Sequence, residues 1–263
     1  MSNNISLLQN ANNIKLELAP FPHIIIKNAL DENVYNDLSK KFPLEFFVKN
    51  NKKNMNNIRK DLFFDELNAM QDIHDDWKKF IEYHSTISFF HEILHIFEKI
   101  ILSNYYKKFD SKEKLYNCNS VNRFSTSINT PVLEASSVRS AHLDNLNKLF
   151  TGLFYMKQDD DKSTGGDLEL YSWNKNISNV KKRKLANNEI DIDYIKYEKT
   201  ISYGSNTFLI FLNSLDALHG VTPRSLTKNY RRMCVFTYKL PFSIDQPTLI
   251  ERLKLKSMSF FNN

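Results

Sequence analysis

Cysteine is almost absent from this chain: of 263 residues, only Cys118 and Cys234 carry a thiol. Their spacing makes neither a disulfide framework nor a metal-binding pair, which fits a reducing compartment. No apolar run approaches the roughly 20 residues that a bilayer span requires. The opening "MSNNISLLQNANNIKLEL" has no basic cap followed by an apolar stretch, as a secretory signal would. The expectation is a soluble, intracellular (cytoplasmic) protein with no membrane partner. No internal repeat and no linker is visible either, so the chain is expected to form a single domain over 1–263. What is present is apolar: 41% hydrophobic and 13% aromatic residues suffice for a substantial core.

The formal charge of +6 invites a nucleic-acid reading. Lys, Asn, Ile, Phe and Tyr are the residues an A/T-rich coding sequence over-produces, so basicity alone is a weak signal. The one dense run, Lys181 to Lys184 ("KKRK"), lies in a polar stretch from Asn174 to about Asp193 with no interleaved aromatics. It is expected to be a solvated loop, and no nucleic-acid partner is expected. The same stretch could serve as a lid or simply as surface.

Local patterns divide the chain. In "APFPHIIIKNAL", Ile24 to Ile26 behind Pro22 predict a short buried strand, and "DENVYNDLSKKFP" a helix capped by Asp31 with Val34, Leu38 and Phe42 on one stripe. "VKNNKKNMNNIRK" has little to bury and is expected to be loop. From Asp72 to about Tyr106 the apolar spacing is helical, through Trp77, Phe80, Ile81, Phe90, Leu94, Phe97 and Ile101, with a break at residues 85–88. Beyond Leu115 the period falls to two. About seven short strands follow: "LYNCNSVNRF", "SSVRSAHL", "LFTGLFYM", "DLELYSW", "YIKYEKTIS", "NTFLIFL" and "RRMCVFTYKL". Helices packed outside a β-sandwich or double-sheet barrel is the architecture these elements predict. Within it, 1–110 supplies the N-terminal strand and supporting helices, 111–241 the barrel core and 242–263 a tail.

The stretch "SAHLDNLNKLF" places His142 and Asp144 two residues apart, hence on one face of an extended segment. About 75 residues later His219 follows the apolar run "NTFLIFL", and 12 residues beyond it stand Arg231 and Arg232. Two imidazoles and one carboxylate form the facial set that holds non-haem Fe(II) while leaving coordination positions open. On spacing alone, a sheet-edge His-x-Asp in contact with water remains the competing reading.

The flanking blocks sharpen it. "HLDNLNKLFTGLFYMK", "GGDLELY" with its Gly165-Gly166 turn, and "HGVTP…RRMCVFTY" resemble the Fe(II)/2-oxoglutarate-dependent dioxygenases, within them the prolyl-4-hydroxylase-like branch. "PFPHIIIKNALDENVYNDLSKKFP" resembles the strand and helix with which many of them open. The resemblance is clearest over 121–238 and weakest over 50–110. It implies a double-stranded β-helix (jelly-roll, cupin-like) core, mainly β with packed helices, and a hydroxylase. Fe(II) would be the metal, held by His142, Asp144 and His219. The co-substrates would be 2-oxoglutarate and O2, yielding succinate and CO2, and the substrate a prolyl, peptidyl or small amino-acid-like molecule. Arg231 matches the residue that pairs with the distal carboxylate of 2-oxoglutarate, and Tyr155 the position whose hydroxyl assists it. Arg231 lies two or three residues farther from the distal histidine than is usual in the family, and Arg232 follows directly. Strand alternation lets only one of the two face inward, and Arg231 is preferred. Met233 stands where relatives often carry a small or hydroxyl residue. Related halogenases have a small residue at the Asp144 position, so the carboxylate argues for hydroxylation. Arg123, Asn145 and Trp173 lie near the motif blocks and are the candidates for lining a substrate pocket.

A rival motif is "HEILH", His91 to His95, a literal H-E-x-x-H in which two histidines bind zinc and Glu92 acts as base, as in a zinc metallopeptidase. Its metzincin extension fails, because Glu98 and Ile101 stand where Gly and a third His belong. The stripe His84, Ser88, His91, His95 and Glu98 is expected to be a solvated helix face. A non-catalytic binding protein on the same barrel would have lost a ligand, and none is missing.

Overall fold

The computed structural model describes residues 5–11, 14–49, 55–106, 108–174, 177–186 and 188–245. Part of the Asn/Lys-rich segment and, from 246 on, the expected tail lie outside them. In chain order the elements are β1 (His23–Lys27), α1 (Glu32–Lys40), α2 (Leu44–Val48), β2 (Arg59–Phe63), α3 (Phe64–Asn68), α4 (Asp75–His84) and α5 (Ile87–Ile100). They continue with α6 (Lys112–Tyr116), β3 (Val121–Asn129), β4 (Lys148–Tyr155), β5 (Leu168–Trp173), α7 (Asn179–Leu185), β6 (Ile195–Ile201), β7 (Thr207–Leu212), β8 (Leu218–Val221) and β9 (Arg231–Lys239).

The strands form two antiparallel sheets, a large one in the order β1-β7-β4-β9-β3-β2 and a small one in the order β6-β5-β8. The segment 139–143 extends the small sheet beyond β8, since His142 and His219 exchange both backbone hydrogen bonds (2.8 and 3.1 Å) and Val221 N–H donates to Arg139 (3.0 Å). From β3 on, the chain therefore alternates between sheets: large, small, large, two small, large, small, large. That winding is the double-stranded β-helix, or jelly roll, expected from the sequence.

Strand alternation gives the large sheet two different faces. Phe150, Phe154, Phe208, Ile210, Cys234, Phe236 and Tyr238 point to the helices, where Trp77, Phe80, Phe89, Phe90 and Phe97 are fully buried against them. Phe80 meets Phe124 and Phe154, Phe89 meets Phe236, and Phe90 stacks on Phe150. Each such ring contributes about 1.5–3 kcal/mol by leaving water. The opposite face carries Tyr155, Leu209, Phe211, Met233 and Val235, which meet Leu168 and Leu170 of the small sheet. The chemistry-bearing residues lie between the sheets.

Several local expectations need correction. Arg59–Phe63 is a strand, not loop: it forms the sheet edge, paired residue for residue with β3, and an edge strand needs no buried alternation in its sequence. "LYNCNSVNRF" begins as the end of α6, which is capped by the Ser111 hydroxyl, and becomes strand only at Val121. "SSVRSAHL" is bridged at Ser136 and His142 but forms no continuous strand. "KKRK" is helical, within α7, whose cap is the Ser178 hydroxyl. Tyr35 rather than Val34 is buried with Leu38 in α1, and Asp31 stands at its N-cap without a side-chain hydrogen bond. The break between α4 and α5 falls at residues 85–86, as expected. No helix among the described residues is long and apolar enough to cross a membrane.

Candidate metal centre

His142 and His219 face each other because their backbones are directly paired, with ring centroids 4.3 Å apart. The close approach is eased by glycine: a Cβ on Gly220 would lie a tight 3.0 Å from the Ala141 nitrogen. Asp144, two residues beyond His142, completes a set whose ligand atoms all lie within 4.8 Å of one another. Among the described residues it is the sole His/Cys/Asp/Glu group so arranged.

The chemistry of these donors fits a divalent metal. In each histidine the Nδ1 is engaged by a carbonyl two residues back, Ser140 O at 2.7 Å for His142 and Ala217 O at 2.9 Å for His219. A carbonyl only accepts, so Nδ1 carries the proton and Nε2 presents a lone pair. Burial pushes the His142 pKa down to about 3, helped by His219 and Arg139, and burial likewise lowers that of His219. Both rings are neutral, as metal ligands must be. Asp144 Oδ2 accepts from the Thr151 hydroxyl (2.7 Å), which in turn accepts from Asn213 Nδ2 (3.1 Å). Burial opposes ionisation of Asp144, but Lys148 (3.3 Å) and the Thr151 hydroxyl help hold its pKa below the usual carboxylate range.

The triad opens on a cavity of about 670 Å³ between the sheets, which also takes in Tyr155 and Arg231. Arg231 is buried, donates through Nε to Gly166 O (2.9 Å), and lies over the Tyr155 and Tyr203 rings at 5.0 and 4.8 Å. Among the described residues no carboxylate is within ion-pair distance of it. Tyr155 is fully buried and its hydroxyl makes no well-formed hydrogen bond. The Arg231 Nη1 makes only long contacts to neutral groups, Asn129 Oδ1 and Met233 Sδ (both 3.4 Å), and a buried guanidinium with no anionic partner is costly unless an anion joins it. Gly165 makes this corner possible: its φ is +76°, and a Cβ there would collide with Pro223 O.

Arg232 points the other way. It donates to Ser39 through Nη1 and Nη2 (both 2.9 Å) and lies over Phe42, beneath the helices. Arg123, Asn145 and Trp173 do not line the triad cavity, although Arg123 and Asn145 line a smaller groove that shares Arg59, Lys148 and Val235 with it. Arg123 is exposed on β3, Asn145 is exposed in a turn, and Trp173 donates to Leu215 O (2.7 Å) under Lys182. Sequence reasoning passed over Thr151, Lys148, Arg139 and Tyr203. Thr151 was within reach, since Thr151, Leu153 and Tyr155 share one face of β4, whereas Tyr203 lies in a connection with no period to betray it.

His91, Glu92 and His95 sit on α5, with His95 exposed and His91 edge-on to Tyr116; Glu98 lies 3.8 Å from His95, but among the described residues these side chains do not converge into a three-ligand group. The stripe was not the solvated face expected. His84 is fully buried among Phe80, Phe89 and Phe236, and Glu98 is buried between Lys112 and Tyr116. The break at residues 85–86 leaves His84 on α4 and puts His91, His95 and Glu98 on α5, so the five residues do not form one helix face.

No family model and no curated sequence matches the chain. Among solved structures it is similar to a prolyl-4-hydroxylase of Pseudomonas putida, at 9% identity over 84% of this chain and 93% of that one, with TM-score 0.47. It is similar to a Trichoplax adhaerens prolyl hydroxylase in complex with a hypoxia inducible factor oxygen degradation domain peptide fragment, at 13% identity over 82% and 83%, TM-score 0.47. It is also similar to IDO from Bacillus thuringiensis, at 12% identity over 84% and 93%, TM-score 0.46.

Proposed function

We propose that this protein is an Fe(II)- and 2-oxoglutarate-dependent oxygenase that hydroxylates an aliphatic C–H bond of a small amino-acid-like or peptidyl substrate. The observation that carries this reading is the sharing of one cavity by a His-Asp-His donor set and a buried arginine whose partners are all neutral. His142, Asp144 and His219 hold the metal, with Thr151 and Asn213 fixing the carboxylate. A dianionic 2-oxoacid suits a cavity lined by both poles, its oxoacid end toward the metal ligands and its distal carboxylate toward Arg231 and the Tyr155 hydroxyl. The guanidinium offers two parallel donors to that carboxylate. When bound, the iron supplies the oxidising chemistry, drawn from O2 and decarboxylation of the oxoacid to succinate. The chain positions the reactants, and the apolar walls Leu153, Leu168, Phe211 and Val235 keep water out.

The test is aerobic incubation with Fe(II) and 2-oxoglutarate, following succinate. Iron-dependent succinate release that disappears in His142→Ala and His219→Ala supports the proposal. Release that persists in either variant contradicts it.

A further inference from the structure

The cavity wall carries four cations, Arg59, Arg139, Lys148 and Arg231, and a single carboxylate, Asp144. Two of the cations are accounted for. Arg59 is gripped by Asp61 through Nε and Nη2 (3.0 and 2.9 Å), and Arg231 belongs to the co-substrate pole. Arg139 and Lys148 are different. Both reach Asp144 Oδ1, Nη1 at 3.8 Å and Nζ at 3.3 Å, and neither has another carboxylate within ion-pair distance among the described residues. Their side chains are 52% and 28% exposed, which puts them at the mouth, open to an incoming molecule.

Charge conservation makes this arrangement informative. A divalent ion at the triad claims Asp144, and the local charge is then two from the ion plus one each from Lys148, Arg139 and Arg231, less one. A 2-oxoglutarate dianion removes half of the resulting four positive charges. Two remain, both at the mouth, in a cavity where opposing charge is felt strongly. We infer that the oxidised substrate is an anion, bearing a carboxylate or a phosphate that Lys148 and Arg139 bind beside the metal. The inference rests on the oxygenase reading and names its substrate class. It also assigns Lys148 and Arg139, on β4 and on the 139–143 segment, as the residues that select it.

Ligand-observed NMR of the full chain tests this, with Zn(II) as a redox-inert metal and saturating 2-oxoglutarate to fill the Arg231 pole. The probes are N-acetylalanine, methyl phosphate and the uncharged N-acetylalaninamide. At least one anion should bind about tenfold more tightly than the amide, as expected for a charge-assisted hydrogen bond. The tighter anion tells whether a carboxylate or a phosphate is the native group. Lys148→Met and Arg139→Gln should each weaken the anion about fivefold or more, whereas Lys148→Arg keeps the charge and should retain binding. Equal binding of amide and anions, or unchanged anion binding in both charge-removing variants, overturns the inference. Zn(II) and 2-oxoglutarate binding are read in the same samples. If the wild type fails to bind these while anion binding still depends on Lys148 and Arg139, the co-substrate reading falls and the anion site stands.

Discussion

Arg231 and Arg232 are neighbours on one strand, and their guanidinium groups end on opposite sides of the same sheet. The first lies between Tyr155 and Tyr203 in the cavity, the second between Phe42 and Ser39 under the helices. Replacing them should therefore have different consequences. Arg231→Ala removes the buried charge opposite the distal carboxylate and should raise the 2-oxoglutarate requirement by roughly 2–4 kcal/mol, a factor of about 30 to 1,000. Arg232→Ala should leave that requirement near wild type and lower the unfolding free energy by about 2–3 kcal/mol, through lost bonds to Ser39 and Met156. Calorimetric titration with 2-oxoglutarate and urea unfolding separate the two, and the reversed pattern would mean that the wrong arginine has been placed at the co-substrate.

Thr151 touches the candidate metal site only through Asp144. Thr151→Val keeps shape while removing the hydroxyl that donates to Oδ2, and should cost about 10-fold in metal affinity, at the lower end for a ligand-orienting partner. Competition with a fluorescent chelator measures it. Unchanged affinity would show that the Asn213–Thr151–Asp144 chain does not orient the ligand.

Part of the acid sensitivity should come from a histidine far from the cavity. Burial pushes the His84 pKa down to about 3, and its Nε2 accepts from the Leu7 N–H (3.2 Å), a bond that protonation abolishes. The folded value lies below the unfolded value near 6.5, so the unfolded state binds the extra proton. The stability contributed by the neutral ring is complete above pH 6.5 and is lost towards pH 3, by about 1.4 kcal/mol per pH unit. Urea unfolding at pH 7.5, 6 and 5 should show His84→Phe with a slope about one proton shallower than wild type; identical slopes would contradict the assignment.

The His91-Glu92-x-x-His95 motif predicts nothing about metal content. His91→Ala with His95→Ala should leave the bound metal stoichiometry at its wild-type value, measured by elemental analysis after dialysis. A loss of zinc in that variant would return the peptidase reading.

What the sequence revealed, and what it hid, has a physical pattern. The convergence of His142, Asp144, His219, Tyr155 and Arg231 on one cavity was legible because each stands in or beside a strand, where period two dictates facing, and because glycine marks the turns. The jelly-roll core followed from runs such as "NTFLIFL", whose six strand residues are all buried. Strand β2 was hidden because an edge strand is stabilised by backbone pairing rather than by side-chain burial. The burial of His84 and Glu98 was hidden because it depends on which neighbours cross α4 and α5. Arg123, Asn145 and Trp173 were chosen for proximity in sequence to the motifs, and proximity in sequence says little about which wall of a barrel a residue joins. Lys148 and Arg139 escaped notice for the same reason in reverse: single basic residues outside a pattern acquire meaning only when folding brings both onto Asp144.

The central claim is that one cavity holds a metal at His142, Asp144 and His219 and an oxoacid bridging it to Arg231. Anaerobic titration with Fe(II) and 2-oxoglutarate tests it directly, by the weak visible charge-transfer band of the chelate. The account predicts a band that needs both components, vanishes in Asp144→Ala and His219→Ala, and in Arg231→Ala forms only at much higher 2-oxoglutarate. Absence of the band in wild type, with metal held instead through His91 and His95, would contradict it.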